Sequence, residues 1–317
     1  MTDVLFVAEH RRGDLRDVSY EGITAGRQLA DDLGGELHVA IISGDVEGYA
    51  DSLNTPDVDV IHTVDAGEEF DHDVYAGATE ALHADLDPAA LVLPNSVNGL
   101  DYAPAVADAL GLPYVTDTID LAYDDGLTAT REMYGSKVET TVDVASDQFA
   151  VSIRSGEWEA AIGAGDAEIS AFDFDTDSVD DGARVTGYEE VAGGDVDIGE
   201  ADFLVSIGRG IEEEENLDLI RELVEATGAT LSSSRPIVDN GWLPKNRQVG
   251  QSGKQVTPKV YLAIGISGAV QHVAGMKGAE TIIAINTDPN APIYDIADYG
   301  IVDDLFDVVP ALIEQFD

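Results

Sequence analysis

The chain has 317 residues with 63 acidic and 16 basic side chains, so its formal net charge is −47. This charge disfavours nucleic acid and anionic membrane surfaces as partners, because both would repel it. Cysteine is absent, which excludes disulfides, thiolate chemistry and cysteine-bound metal centres, while the length allows two domains.

The acidic residues are spread along the chain between apolar segments, and the hydrophobic fraction is 44%. This distribution predicts a folded, salt-adapted (halophilic) surface rather than a disordered acidic tail, since salt screens self-repulsion. The first residues lack a basic region followed by a long apolar core, and no segment approaches the roughly 20 apolar residues of a membrane span. We therefore expect a soluble, cytoplasmic protein without membrane insertion.

In the first half of the chain, strand-like apolar runs alternate with helix-like patterns. Strands are predicted at 4–8, 37–42, 58–64 and 90–93, and helices at 20–33, 74–86 and from Asn95 to Gly111. This alternation indicates an α/β domain with a mostly parallel sheet covered by helices. From 114 to 153, polar and apolar residues alternate, which predicts an antiparallel extension of the same sheet.

An acidic, glycine-containing stretch from 171 to 199 has few large apolar residues. We place the domain boundary within it, near 188–195, which gives an N-terminal domain of 1–190 and a C-terminal domain of 191–317. A second α/β alternation then predicts a doubly wound sheet. Its strands are expected at 203–207, 230–233, 260–266 and 281–285, and its helices at 216–227 and 305–316.

A glycine turn follows the predicted strand 260–266. The turn Gly265-Ile266-Ser267-Gly268 precedes a helix expected to begin near Ala269. A strand, a glycine turn and a helix together direct free backbone N–H groups and the positive end of a helix dipole at an anion. Ser267 and Gln271 are positioned to add donors, so the segment predicts a phosphate-binding site.

The run QVGQSGKQVTPKVYLAIGISGAVQHVAGM, residues 248–276, resembles the FAD signature of the electron transfer flavoprotein alpha subunit. Four further blocks agree in the same order: SIGRG at 206–210, SRPIVD at 234–239, AINTDP at 284–289 and DYGIV at 298–302. Five blocks over about a hundred residues make a specific match. The N-terminal half agrees in length and strand order, with AEHRRGDL after its first strand.

The resemblance implies non-covalent binding of FAD by the C-terminal domain and electron transfer from dehydrogenases to a quinone oxidoreductase. It implies a heterodimer in which the N-terminal domain contacts a beta subunit, and a carrier without substrate chemistry of its own rather than an enzyme. The implied cofactor-binding residues are Arg209, Ser234, Arg235, Gln248, Val249, Gly250, Gln251, Ser252, Ser267, Gly268, Ala269, Val270, Gln271, His272, Asn286, Asp304 and Leu305.

Three of these residues are implied to tune the flavin. Arg235, expected to be extended because it precedes Pro236, would lie beside the ring and stabilise its reduced, anionic form. Ser252 would face the N5 and O4 edge, and His272 would donate to the C2 carbonyl. The alternatives from the residues alone are a surface salt bridge for the arginine, a turn serine and a packed histidine.

Other cofactor positions have simple structural explanations as well. Asn286 at a strand end and Asp304 at a helix start are natural turn or cap residues, and the resemblance implies that they bind the adenosine half of FAD. The loop 250–254 superficially resembles a P-loop, but Gln248 and Gln255 replace the glycine and hydroxyl that the Walker pattern requires. Phosphoryl transfer is therefore disfavoured.

No metal site is predicted. The histidines form no ligand-like cluster, and the acidic run 212–215 is most simply a solvated first helical turn. Two alternative functions stay open: a subunit of an electron-bifurcating flavoprotein complex, whose partner carries another flavin, and a non-redox nucleotide-binding regulatory module. The number of flavins per heterodimer distinguishes the first, and a protein without flavin absorbance would favour the second.

Overall fold

The computed structural model describes residues 2–44, 46–67, 69–134, 138–176, 179 and 198–316. The chain divides into two compact units, Met1–Tyr188 and Glu189–Asp317. The expected boundary at 188–195 lies outside the described residues. Within the described part, no helix is both long and apolar enough to cross a membrane.

The first unit alternates strands and helices along most of its length. Its elements are β1 (Val4–Ala8), β2 (His10–Arg11), β3 (Asp14–Leu15), α1 (Asp17–Leu33), β4 (Leu37–Ser43), α2 (Val46–Leu53), β5 (Val60–Asp65), α3 (His72–Leu86), β6 (Ala90–Pro94), α4 (Val97–Leu110), β7 (Tyr114–Tyr123), β8 (Leu127–Met133), β9 (Val138–Val144), β10 (Phe149–Ile153) and β11 (Glu168–Ala171). Nine strands form one sheet in the order β11-β5-β4-β1-β6-β10-β7-β8-β9. The mostly parallel α/β sheet agrees with the sequence prediction.

The antiparallel extension is present, but one of its expected strands belongs elsewhere. Strands β7, β8 and β9 pair antiparallel, as the alternating pattern predicts. Strand β10 instead runs parallel to both β6 and β7 and lies between them. Its residues, Phe-Ala-Val-Ser-Ile, are all buried, and such a continuous apolar run is typical of a parallel strand covered on both faces.

Two apolar layers cover the faces of the first sheet. Val4 and Phe6 of β1 join the cluster that includes Ile23 of α1, whereas Leu5 belongs to the opposite cluster with α3 and α4. Helix α1 lies directly on β1, because a Cβ on Gly22 would stand 2.1 Å from Phe6 Cζ. Burial of such side chains on both faces is the main stabilising contribution in a central parallel strand.

The second unit is a doubly wound parallel sheet. Its elements are β12 (Phe203–Ile207), α5 (Leu217–Thr227), β13 (Thr230–Ser233), α6 (Arg235–Asp239), β14 (Val260–Ile264), α7 (Val270–Val273), β15 (Thr281–Asn286), β16 (Tyr299–Val302) and α8 (Leu305–Phe316). The strand order is β13-β12-β14-β15-β16, and every pair is parallel. The order changes direction between β12 and β14, where open α/β sheets bind ligands.

Two local expectations in this unit are wrong. Strand β14 ends at Ile264 rather than at residue 266, because Gly265 turns the chain with φ +63°. Arg235 is not extended but is the first residue of α6, and Ser234 before it is the extended cap. Pro236 then occupies a position in the first turn, where a missing N–H removes no helical hydrogen bond.

Candidate functional site

A cavity of about 740 Å³ lies beside the carboxyl ends of the second sheet. Loops that follow all five strands contribute to its wall, together with the segment 248–252. The volume is in the upper part of the range of about 300–1,000 Å³ that is usual for small-molecule and cofactor pockets. The position at the change in strand order is the one predicted for a nucleotide cofactor.

All predicted cofactor residues line this cavity except Gly268 and Val270. Gly268 is buried with φ +85°, and a Cβ there would lie 2.2 Å from the backbone nitrogen of Ile293. The side chain of Val270 is 70% exposed. Both residues therefore shape the loop after β14 through the backbone rather than through side chains at the cavity wall.

The cavity wall also contains residues outside the predicted cofactor set, although Gly265 and Ile266 belong to the turn already predicted to face an anion. Most adjoin predicted residues in the chain, so their place in the same loops was the available signal. They are Gly208, Gly210, Glu212, Pro236, Gly265, Ile266, Ile285, Thr287, Asp303 and Phe306.

Three of these glycines allow two strand-end loops to touch. A Cβ on Gly208 would lie 2.3 Å from the carbonyl oxygen of Gly265, and a Cβ on Gly210 would lie 2.6 Å from its Cα. Real Cβ atoms do not approach backbone atoms so closely, so any side chain would push the loops apart. The glycines of the Gly-Arg-Gly sequence after β12 thus allow the backbones of the two loops to touch at the point where the strand order reverses.

A row of free backbone donors lies on one side of the cavity. Within the described part of the chain, the N–H groups of residues 267–271 donate no hydrogen bond to the protein. The expected helix follows them, but α7 has only four residues. Its dipole is therefore small, and the unpaired N–H groups are the main feature that favours an anion here.

The segment 248–252 closes over this row. The N–H of Gln251 donates to the carbonyl of Gln271 at 2.7 Å. Gly250 has φ +133°, and a Cβ there would lie 2.8 Å from the same carbonyl oxygen. Gln248 is buried, and its Nε2 donates to the exposed Ser252 Oγ at 3.0 Å. This bond orients the hydroxyl that the sequence analysis assigned to the flavin edge.

His272 is buried and its ring is neutral. Its Nε2 lies 2.9 Å from the hydroxyl of Tyr261, and its Nδ1 is buried without a hydrogen-bond partner in the described residues. Burial lowers the pKa of His272 to about 4, and a backbone hydrogen-bonding contact with Val249, too poor in geometry to count as a full hydrogen bond of Nδ1, opposes part of that change. The predicted packed histidine and the predicted donor to a ligand are therefore compatible, because one ring nitrogen packs and the other is unpaired.

The two arginines at the cavity are exposed cations. Arg235 forms an ion pair with Asp239 one helical turn away, with Nε 3.2 Å from Oδ2 and with 66% of the arginine side chain exposed. Arg209 begins the turn after β12 and is also exposed. The surface salt bridge considered for Arg235 is present, and the residue also lines the cavity.

Asn286 and Asp304 have the turn and cap contacts that the sequence predicts. The Nδ2 of Asn286 donates to the carbonyl of Ile266 at 2.9 Å, while its Oδ1 accepts from the N–H of Asp288 at 3.0 Å. Oδ1 of Asp304 accepts from the N–H of Phe306 at 2.9 Å at the start of α8. Both side chains line the cavity as well.

The acidic run 212–215 is exposed, as expected for a solvated turn. Among the described residues, no group of three or more histidine, aspartate or glutamate side chains could hold a metal ion. The cavity thus combines free N–H donors, two arginines and a neutral imidazole. A doubly wound sheet with such a cavity defines a class of protein that binds a phosphate-containing cofactor.

Comparison with known proteins identifies the family. The family described as electron transfer flavoprotein domain matches residues 4–177, and the electron transfer flavoprotein FAD-binding domain matches residues 197–277. The chain is 44% identical to the electron transfer flavoprotein subunit alpha of Methylophilus methylotrophus over 99% of both chains. It is 36% identical to the subunit alpha of Thermoanaerobacterium thermosaccharolyticum, over 99% of this chain and 97% of the relative.

A third relative, Protein FixB of Azotobacter vinelandii, is 36% identical over 97% of this chain and 89% of its own length. The chain belongs to the electron transfer flavoprotein family, as an alpha subunit. Its cofactor is FAD, its function is electron transfer, and its family implies a beta subunit as partner. The class of protein that the fold and cavity define agrees with this family.

The residues of the cavity fit FAD. The volume of about 740 Å³ suits a large cofactor, and the unpaired N–H groups of 267–271 suit a diphosphate. The buried Nδ1 of His272 has no hydrogen-bond partner of good geometry in the described residues. A carbonyl of the flavin ring can supply an acceptor for it. Glycine at 250 keeps the facing loop free of a Cβ that would clash with Gln271.

Proposed function

We propose that this alpha subunit carries electrons from dehydrogenases to a quinone-linked acceptor and catalyses no substrate reaction of its own. The single observation that carries the proposal is the pairing, in one cavity, of the free N–H row 267–271 with the buried imidazole of His272. The first feature suits the diphosphate of a dinucleotide, and the second suits a ring on which charge changes.

Bound FAD supplies a ring that takes up and releases electrons. In our proposal the backbone of 267–271, with Gly268 at its turn, holds the diphosphate, and Ser267 and Gln271 add side-chain donors. Asn286 and Asp304 hold the adenosine half. The remaining cavity residues of the predicted set complete the pocket wall.

Three residues would act on the ring in this proposal. Arg235 supplies a fixed positive charge at the cavity, which favours a ring that has gained negative charge. Ser252, oriented by Gln248, offers a hydroxyl donor. His272 offers its unpaired Nδ1 and is neutral near pH 7, because burial lowers its pKa to about 4.

We further propose the domain division 1–190 and 191–317, with the first domain forming the main contact with the beta subunit. The two-subunit composition implied by the family supports this partner. The net charge of −47 supports a salt-adapted, halophilic origin, since such self-repulsion is tolerable only when ions screen it. The cytoplasmic location stays a prediction from the sequence.

The test is to co-express the chain with its beta partner, purify the complex in high salt, and record visible spectra during a stepwise dithionite titration. Flavin bands that bleach on reduction and return on oxidation support the carrier. A complex that is reduced by a dehydrogenase with its substrate, but not by that substrate alone, supports the absence of substrate chemistry.

Two results would lead to other functions. A complex that stays colourless after FAD is added would overturn the proposal and favour a non-redox nucleotide-binding module. Two flavins in each heterodimer would favour an electron-bifurcating complex, in which the partner carries the second flavin.

A further inference from the structure

Tyr261 does not line the cavity, but its side chain is hydrogen-bonded to the ring of His272, which does. It belongs to β14, the central strand of the second sheet, and is completely buried. Its hydroxyl lies 2.9 Å from Nε2 of His272, and the ring centroids are 6.1 Å apart. A phenylalanine could fill the same apolar space, so the buried hydroxyl requires an explanation.

The direction of this hydrogen bond follows from the charge states of the two rings. Burial raises the pKa of Tyr261, so the phenol keeps its proton, and burial lowers the pKa of His272 to about 4, so the imidazole is neutral. A neutral imidazole has one N–H donor and one acceptor nitrogen. A phenol O–H that donates to Nε2 leaves the imidazole proton on Nδ1.

Two serine hydroxyls beside Tyr261 favour this direction. Ser206 of β12 and Ser232 of β13 are paired in the sheet register, and Leu204, two residues before Ser206, pairs with Tyr261. Both hydroxyls are buried without a hydrogen-bond partner of good geometry in the described residues, and both lie close enough to offset part of the rise in the pKa of Tyr261. A serine O–H that donates to the phenol oxygen leaves the phenol proton for His272.

We propose that Tyr261 is a positioning residue: its hydroxyl donates to Nε2 of His272 and fixes the tautomer that carries its proton on Nδ1. Because Nε2 is occupied, Nδ1 is the ring nitrogen whose proton can turn from the poorly aligned backbone of Val249 to a ligand in the cavity. The inference rests on the proposed function to the extent that the ligand is FAD. Tyr261 itself does not line the cavity and acts only through His272.

The first experiment measures the tautomer directly, using the full chain in complex with its beta partner and ¹⁵N-labelled histidine. The His272→Ala variant identifies the His272 signals by their loss. We expect an acceptor-type Nε2 and a protonated Nδ1 in the wild-type complex without FAD, and a loss of this single-tautomer pattern in Tyr261→Phe. A protonated Nε2 in the wild-type protein, or an unchanged pattern in the variant, would overturn the inference.

The second experiment is a double-mutant cycle on the flavin midpoint potential. Tyr261→Phe should lower the potential by less than His272→Ala, and the double variant should lower it no further than His272→Ala alone, because one residue acts through the other. Additive shifts would show that Tyr261 acts independently and would contradict the proposal. FAD should still bind to both single variants within about tenfold of the wild-type affinity.

Tyr75→Phe is the matched control. Tyr75 is a buried tyrosine of the first unit whose hydroxyl donates to the carbonyl of Ile42 at 2.8 Å. The control should lose stability, as any buried hydroxyl deletion does, with no shift in flavin potential. An equal potential shift in this control would assign the effect to general destabilisation and sink the inference.

The two experiments separate this inference from the proposed function. A wild-type complex that binds no FAD defeats the proposed function, while the tautomer in the FAD-free protein still decides for or against Tyr261. A redox-active complex in which Tyr261→Phe changes neither the tautomer nor the potential defeats the inference alone. If Tyr261→Phe does not fold, the wild-type tautomer remains the deciding measurement.

Discussion

His272 and Arg235 line the same cavity but occupy opposite electrostatic surroundings. The histidine is buried, neutral and hydrogen-bonded to Tyr261, whereas the arginine is 66% exposed and paired with Asp239. A charge in water interacts weakly with its neighbours, and a buried dipole interacts more strongly. The arginine therefore contributes little to folding, and its effect should appear mainly when charge accumulates on the cofactor.

Arg235→Ala is expected to lower the flavin midpoint potential while leaving stability almost unchanged. Loss of the exposed ion pair with Asp239 should cost about 0.5 kcal/mol or less, because solvent screens it. Potentiometric titration and denaturant unfolding of the complex measure the two effects.

Arg221→Ala is the control for Arg235→Ala. Arg221 forms a comparable exposed ion pair with Asp218 in α5, at 2.8 Å, and does not line the cavity. The Arg221→Ala variant should change stability by a similar amount, and it should leave the flavin midpoint potential unchanged. A potential that is the same in wild type and Arg235→Ala would place the guanidinium away from the ring.

At the residue scale, the motifs identified most of the cavity but not Tyr261. Ser252, Gln271 and Asn286 could be predicted because they lie inside short blocks whose spacing resembles a known family. Tyr261 lies within the apolar run of a strand, where the sequence pattern predicts a tyrosine that only packs in the hydrophobic core. Its role depends on a contact with His272, and sequence spacing alone does not show which strand face meets the helix.

At the scale of elements, glycines determine where loops may approach each other. Gly268 and Gly228 both have positive φ, +85° and +67°, but only Gly268 is crowded. A Cβ on Gly268 would lie 2.2 Å from the nitrogen of Ile293, whereas nothing lies within 4 Å of a Cβ on Gly228. Alanine variants of these two glycines therefore separate the cost of backbone strain from the cost of steric contact.

Gly228→Ala should destabilise the protein by about 1 kcal/mol, the cost of placing a side chain in the left-handed region. Gly268→Ala should cost about 3 kcal/mol or more and weaken FAD binding, because strain and contact with the Ile293 backbone add. Denaturant unfolding and FAD titration give both values. Equal losses in the two variants would show that the loop relaxes away from Ile293 without difficulty.

Strands β4 and β5 carry a cross-strand histidine pair that makes stability depend on pH. Nδ1 of His38 lies 2.9 Å from Nε2 of His62, and the rings stack at 5.2 Å. Burial, and then the neighbouring His38, lower the pKa of His62 from 6.5 to about 4. The unfolded chain therefore binds more protons than the folded one between these values, so stability falls as pH falls through this window.

Between pH 6.5 and 4, the free energy of unfolding should fall less in His62→Gln than in wild type. The difference should be on the order of 1–2 kcal/mol after solvent screening. Burial raises the pKa values of Glu9 and Glu21, which acts in the opposite sense, so only the difference between variants is diagnostic. His72→Gln, at a half-buried histidine of α3 whose Nδ1 lies 3.3 Å from Oδ2 of Asp101, is the control. Parallel pH profiles for wild type and His62→Gln would contradict the assignment.

Element types were predictable, and the exceptions have physical causes. Strands and helices of both units follow apolar periodicity that the sequence shows directly. The parallel placement of β10 was missed because β10 follows the antiparallel strands β8 and β9 in the chain but is inserted between the two earlier strands β6 and β7. The helical state of Arg235 was missed because a residue before proline usually avoids the helical region, whereas here Ser234 is the extended residue and Pro236 lies within the first turn of α6.

At the scale of the whole molecule, charge is the dominant feature. The net charge of −47 favours solubility and opposes compaction in both units. Charges spread along the chain interact over distances that mobile ions screen. Stability should therefore depend on ionic strength more than on any one surface residue.

The melting temperature should rise steeply between 0.1 and 1 M NaCl, as the Debye length falls from about 10 Å to about 3 Å, and then level off. Differential scanning calorimetry of the complex measures this profile. Sucrose at matched osmolality is the control, because it stabilises by exclusion from the surface without screening charge. Equal gains in salt and sucrose, or no gain in salt, would contradict the electrostatic account.

The sequence by itself determined the α/β class, the parallel sheets, the family and most residues of the cofactor cavity. These properties depend on local periodicity, on glycine and proline chemistry and on short motifs. Each of these signals comes from residues that are close together in the chain. Only the tertiary structure decided the insertion of β10, the contact of the Gly208 and Gly265 loops, and the bond from Tyr261 to His272. Such contacts join segments distant in the chain, and their geometry is set by how strands and helices pack.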